Sequence, residues 1–246
     1  MRTYVIGDIH GGLRALEQVL ERAPIEPNDR LVFLGDYVDG WSQSPNVLDF
    51  LIRLPECYPN CIFLRGNHDQ LLHDWLTARY ENIDETLWFQ HGGAATVAAY
   101  EGVTEATRAE HIRFLESLHN YYIDEHNRLF VHAGFTNQKG ATHEYFPRLL
   151  YWERTLWEMA LALDPLLPAD DPKYPARLKR YTDIFIGHTP VTRLGHLQPL
   201  RCANVWNVDT GAAFHGPLTL LDADTGSFWQ SDPLPSLYPG EKGRNP

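Results

Sequence analysis

The chain has 246 residues, 43% of them hydrophobic, and a formal net charge of −11. That is enough length and apolar content for one sizeable core, while the acidity and the lack of any Lys/Arg run argue against a surface that grips a nucleic-acid backbone. Cys57, Cys61 and Cys202 are too sparse for a disulfide framework and no apolar stretch reaches membrane-span length, so a soluble protein of the reducing cytoplasm, without membrane or nucleic-acid partners, is expected.

In chain order, residues 3–6, 30–34 and 61–64 are apolar, β-rich runs. Between them Leu13, Leu16, Val19, Leu20 and Ala23 recur at helical spacing until Pro24 and Pro27, and Val47, Phe50, Leu51 and Leu54 do so until Pro55. Such alternation predicts an α/β sheet with right-handed crossovers. From Asp69 to about Leu118 the pattern is helical, with Leu71, Leu72, Trp75 and Leu76 as an apolar stripe and a break at Gly92-Gly93. Residues 121–123 and 129–131 flank a polar turn and predict a hairpin. A Trp-rich helix over 143–163, a proline-rich loop over 165–175 and a strand over 183–186 follow. Short strands at 205–208, 218–221 and 227–230 predict an antiparallel meander that builds a second sheet. Residues 1–230 are expected to form one domain and the proline-containing segment 231–246 a loose tail.

Five of the predicted strands run into short segments rich in metal-binding side chains: Gly7-Asp8-Ile9-His10-Gly11, Gly35-Asp36-Tyr37-Val38-Asp39-Gly40, Gly66-Asn67-His68-Asp69, Val131-His132-Ala133-Gly134 and Gly187-His188-Thr189-Pro190. A strand that stops at a glycine turn puts the next side chain on the sheet's carboxyl edge, where open α/β sheets hold their ligands. Asp8 and His10, two apart on an extended turn, are able to chelate one ion. Asp36 has two oxygens with which to bridge two. Asn67 adds a carbonyl oxygen, and His132 and His188 add imidazoles. Two divalent ions sharing a carboxylate clamp a phosphate and activate water. Hard oxygens mixed with imidazole and no thiolate suit Mn²⁺, Fe or Zn²⁺ better than Ca²⁺. His68 diverges from Asn67 toward the substrate as a general acid, with Asp39 holding it protonated.

The ordered motif set resembles the calcineurin-like metallophosphoesterase superfamily, in its bacterial phosphoprotein phosphatase branch, whose pattern is GDxHG, GDxVDRG, GNH(D/E), HAG or HGG, and a later GH. The resemblance covers roughly residues 3 to 222 and includes Leu64-Arg65, Asp209-Thr210-Gly211 and Leu218-Thr219-Leu220. It implies two packed mixed β-sheets flanked by helices. It also implies one metal on Asp8 and His10, a second on Asn67, His132 and His188, Asp36 bridging them, and His68 with Asp39 as the acid pair. The implied activity is hydrolysis of phosphomonoesters, on phosphoproteins or small molecules. A symmetrical bis(5'-nucleosyl)-tetraphosphatase is the rival within the class, and a catalytically silent scaffold the rival outside it.

One position departs from the pattern. The arginine that follows the second Asp of GDxVDRG grips phosphate in the family, and here it is Gly40. Arg154, in Trp152-Glu153-Arg154, resembles the Trp-x-Arg of bacterial members and is the candidate substitute, with Trp41 as an aromatic wall beside the ions. Restoring arginine at position 40 is expected to compensate for loss of Arg154. His91-Gly92-Gly93 imitates HGG but lies in a helical stretch, so a helix break with an incidental His91 is expected. His73 is expected at the surface, His215 at most at the pocket mouth, and Trp75, Trp88, Trp152 and Trp157 in helix packing.

Overall fold

A computed structural model describes residues 1–245. The chain alternates sides in each strand, and that alternation builds three apolar layers around two sheets. In β1 (Thr3–Ile6) the side chains of Tyr4 and Ile6 face helices, whereas Val5 faces the second sheet. Likewise β2 (Arg30–Phe33) sends Leu31 and Phe33 outward and Val32 inward. The second sheet mirrors this: β5 (Leu129–Val131) and β6 (Ile184–Ile186) put Phe130 and Phe185 into the seam, and their flanking residues under the opposite helices. The two seam rings stack with centroids 4.9 Å apart and planes 9° from parallel.

With β3 (Cys61–Phe63), β4 (Tyr121–Ile123), β7 (Leu200–Cys202), β8 (Val205–Asn207), β9 (Thr219–Asp222) and β10 (Phe228–Gln230), the sheets have five strands each, in the orders β10-β9-β1-β2-β3 and β4-β5-β6-β8-β7. β1, β2 and β3 run parallel, as do β5, β6 and β8; β9 pairs antiparallel with β1 and β10, and β4 and β7 are antiparallel edge strands of the second sheet. The expected α/β sandwich of two mixed sheets flanked by helices is therefore present. Helices α1 (Leu13–Arg22), α2 (Ser44–Arg53) and α3 (Asn67–Leu76) follow the first three strands as the periodicity predicts.

Three expectations are corrected. The terminal strands do not form one meander: β9 pairs with β1 and returns the chain to the first sheet, while β8 extends the second. The helix expected over 143–163 is confined to Thr155–Ala162, preceded by 3₁₀ turns. Pro147 offers no N–H, and the Glu153 carboxylate starts the helix by accepting from the N–H groups of Thr155 (2.7 Å) and Leu156 (3.0 Å). The segment expected as a loose tail from Ser231 is packed down: Leu234 and Tyr238 are buried, and Leu234–Leu237 is a helical turn. Only its last residue, Pro246, lies outside the described residues. No helix among the described residues is long and apolar enough to cross a membrane.

The seam joins two sheets that share no strand. Phe130→Ala should lower unfolding free energy by about 3–5 kcal/mol, read as a fall in the urea midpoint. An unchanged midpoint would mean that the seam contributes little.

Candidate active site

The carboxyl ends of parallel strands from both sheets meet at one cavity, and the five sequence motifs follow those ends. Asp8 leaves β1, Asp36 leaves β2, Asn67 and His68 open α3 after β3, His132 leaves β5 and His188 leaves β6. A sixth strand end, after β8, adds Asp209, which lies outside the five metal-binding segments expected from the sequence. Asp8, His10, Asp36, Asp39, Asn67, His68, His132, His188 and Asp209 are all buried. Four of them, His10, Asp36, Asp39 and His188, sit at left-handed φ values of 52°, 54°, 73° and 67°, a conformation with a steric cost for residues with a Cβ that is concentrated at functional sites.

Backbone contacts hold these residues in place. The Asp69 carboxylate accepts from the N–H groups of Gly66, Asp36 and Tyr37, each at 2.8 Å, tying the exits of β2 and β3 together. His68 N–H then donates to Asp36 Oδ1 (2.9 Å) and His188 N–H to Asp8 Oδ2 (2.9 Å). Gly187 passes so close to the Asp8 carboxylate that no side chain fits there.

Two imidazoles are oriented by carbonyl oxygens, which accept only. His10 Nδ1 donates to Asp39 O (2.9 Å), and its Nε2 lies 3.6 Å from Asp36 Oδ2. His132 Nδ1 donates to Leu34 O (2.9 Å), and its Nε2 lies 3.4 Å from the same Asp36 oxygen and 3.3 Å from Asn67 Oδ1. A ligating histidine needs this arrangement, with one nitrogen anchored and the other aimed at the ion. The donor atoms of His10, Asp36 and His68 lie within 4.8 Å of one another, as do those of Asp36, His132 and His188. Asp36 belongs to both groups. Asp8 Oδ1 and His188 Nε2 are buried without a hydrogen-bond partner among the described residues. Orphaned buried acceptors facing a shared carboxylate fit a pair of divalent ions.

The electrostatics agree. Burial, then the charges of Asp209 and Asp36, push the Asp8 carboxyl well above its ordinary range. Burial pushes Asp69 to about 7 and Asp209 to about 6, each with Asp36 adding to the effect. Burial works against a charged His132, yet Asp36 beside it outweighs this and pushes the imidazole up to about 9. The protein atoms alone leave this cluster short of positive charge, and divalent cations would supply it.

His68 and Asp39 also meet. His68 Nδ1 lies 2.6 Å from Asp39 Oδ2, which accepts a second bond of 2.6 Å from Trp88 Nε1. Trp88, expected only as packing, therefore fixes the carboxylate that fixes the histidine. The cavity above these groups has a volume of about 310 Å³ and draws walls from Trp88, Trp152, Phe214 and four arginines, Arg148, Arg154, Arg193 and Arg244. Arg154 is exposed at the rim and donates to Thr189 Oγ1 (2.8 Å).

Other expectations change here. Trp41 is no pocket wall: it is fully buried, and its Nε1 donates to Ala212 O (2.7 Å). Gly92-Gly93 does break a helix, but His91 lines the cavity. His73 is buried rather than at the surface, 3.6 Å from Asp74 and 3.7 Å from Glu116, and His215 is not among the cavity's lining residues. Arg148, Arg193 and Arg244 carried no sequence signal, since each stands outside a motif.

Because His132 holds a proton where an ion would sit, loading the protein with Mn²⁺ at pH 7 should release protons. The release should shrink as pH rises through about 9, and apparent metal affinity should rise over the same window. Titration calorimetry in buffers of differing ionisation enthalpy reads both. Proton-neutral binding at pH 7 would show that His132 is not displaced.

Residues 1–215 match the family model for calcineurin-like phosphoesterases. A protein of Anoxybacillus flavithermus named bis(5'-nucleosyl)-tetraphosphatase PrpE (asymmetrical) is 30% identical over 235 residues, 88% of each chain. Serine/threonine-protein phosphatase 1 of Salmonella typhimurium is 29% identical over 226 residues, 88% of this chain and 89% of its own. Among solved structures, a metallophosphoesterase from Sphaerobacter thermophilus superposes with a TM-score of 0.57 at 22% identity, over 97% of this chain and 91% of that one. The chain belongs to the calcineurin-like phosphoesterase family and is a metal-dependent hydrolase of phosphoesters.

Proposed function

We propose that the chain hydrolyses small polyanionic phosphate compounds, of the dinucleoside polyphosphate kind, at a two-metal centre. The observation that carries the centre is Asp36, one buried carboxylate with His10 on one side and His132 on the other. Asp8 and His10 would hold one ion, Asn67, His132 and His188 the other, and Asp36 both. Mn²⁺, Fe and Zn²⁺ suit this oxygen and imidazole set. When bound, two such ions supply Lewis-acid polarisation of the phosphate and a more acidic water.

The remaining work falls to the side chains. Asp39, itself held by Trp88, keeps the His68 ring turned so that Nδ1 faces the carboxylate and Nε2 is left for the substrate. His68 can then hand its Nε2 proton to the departing oxygen. Arg154, with Thr189 positioning it, would meet phosphate at the rim. His68→Asn should lower kcat by roughly 10²–10⁴ on an alkyl phosphate, less on p-nitrophenyl phosphate, whose leaving group needs no proton, with metal content unchanged. Equal losses on both substrates would remove His68 from this role.

For the substrate, a cavity with four arginines and the rings of Trp152 and Phe214 suits several phosphates and an aromatic group better than a flat phosphoprotein surface. This reading takes the place of the phosphomonoesterase expected first. The relatives named tetraphosphatases carry the qualifier asymmetrical rather than symmetrical, which favours an unequal cut. With Mn²⁺, diadenosine tetraphosphate should be consumed faster than phosphoserine or phosphotyrosine peptides, giving a nucleoside mono- and triphosphate on chromatography. Two diphosphates would restore the symmetrical reading, and preference for a peptide would restore the phosphoprotein one.

A further inference from the structure

Gly40 does not leave a gap. Arg244 fills it, from the segment expected to be loose. A Cβ built on Gly40, whose φ is +123°, would lie 3.3 Å from Arg244 Cγ, and one built on Gly92 would lie 3.0 Å from the same atom. The two glycines face each other, Gly40 N–H donating to Gly92 O (3.2 Å), and the aliphatic stem of Arg244 runs through the slot that they leave. Its guanidinium emerges in the active-site cavity, with Nη1 3.5 Å from His10 Nε2 and Cζ 5.3 Å from the centre of the Phe214 ring.

This guanidinium is half-buried, forms no ion pair among the described residues, and its Nε is buried without a partner. An arginine in such a state beside a metal-ligating histidine would face a divalent cation across a short distance. An anion placed between the two satisfies both, and the planar fork matches two phosphate oxygens.

The segment that delivers Arg244 is fastened to the residues directly after Gly40. The Tyr238 ring stacks on Trp41 with centroids 5.2 Å apart, and its hydroxyl donates to Gln43 Oε1 (2.6 Å). Ser42 donates to the Glu241 carboxylate from its N–H (3.0 Å) and its hydroxyl (2.8 Å). Arg244 N–H donates to Ala213 O (2.8 Å). Trp41, Ser42 and Gln43 thus form the dock of a strap.

We propose that Arg244, carried by this strap, is a phosphate-binding residue of the active site, and that Gly40 and Gly92 are small in order to admit it. The proposal rests on the phosphoesterase reading. It also reverses an expectation: Gly40→Arg would strain a left-handed turn and crowd the Arg244 stem and His10 O (3.3 Å), so it should weaken phosphate binding rather than restore it.

The test uses Mn²⁺-loaded protein and orthophosphate titrated in a calorimeter. Arg244→Met keeps a stem in the slot and removes the charge; it should weaken orthophosphate binding roughly 10–100-fold, the scale of a lost charge-assisted contact, with metal content and melting temperature at parent values. Arg244→Lys should recover part of the loss, having the charge without the fork. Orthophosphate bound by Arg244→Met as tightly as by the parent overturns the proposal, and so does a loss that appears only together with lost metal. A metal-loaded parent that binds no orthophosphate overturns the phosphoesterase reading as well, which separates the two failures.

Discussion

The site depends on a single carboxylate whose partners are backbone N–H groups. Asp69 takes N–H groups from its own helix start at Gly66 and from Asp36 and Tyr37 on the neighbouring strand exit. Without it, three buried donors would lose their acceptor, each at a cost of about 1–3 kcal/mol. With it, the β2 exit folds back far enough for Asp36 to receive His68 N–H and to stand between His10 and His132. The position of Asp36 between the two imidazoles follows from a backbone clamp.

That clamp explains why the left-handed residues persist. His10, Asp36, Asp39 and His188 each occupy a conformation that costs energy for a residue with a Cβ. Hydrogen bonds that they donate to the Asp69 and Asp8 carboxylates, the Val38 and Asp39 carbonyls and the Ser44 and Thr96 hydroxyls over-determine it. The strain is repaid locally, and the side chains gain fixed directions.

Much of this was legible because the motifs are local. A strand, a glycine and a ligating residue stand next to one another, so alternation and turn chemistry place Asp8, Asp36, Asn67, His132 and His188 at strand ends without knowledge of the tertiary fold. The hairpin of β4 and β5 was legible for the same reason. What was not legible is long-range. Trp88 reaches Asp39 across 49 residues, and Arg244 reaches His10 across 234. β9 pairs with β1 across the whole chain. The prolines that made residues 231–246 resemble a loose tail describe the local backbone, and they carry no information about the buried Leu234 and Tyr238 that pin it. Gly40 read as a missing arginine for the same reason: a deletion is visible in one place, its compensation in another.

The two sheets also divide the candidate ligands between them. Asp8, His10, Asp36 and Asn67 hang from the first sheet, His132 and His188 from the second, and the sheets also meet face to face in the apolar seam around Phe130 and Phe185. An ion held by both sets would act as a rivet through that seam. Metal affinity would then be part of the mechanical strength of the fold, growing with free ion concentration as RT ln(1 + [M]/Kd). A cell that withheld the ion would loosen the joint between the sheets as well as silence the chemistry.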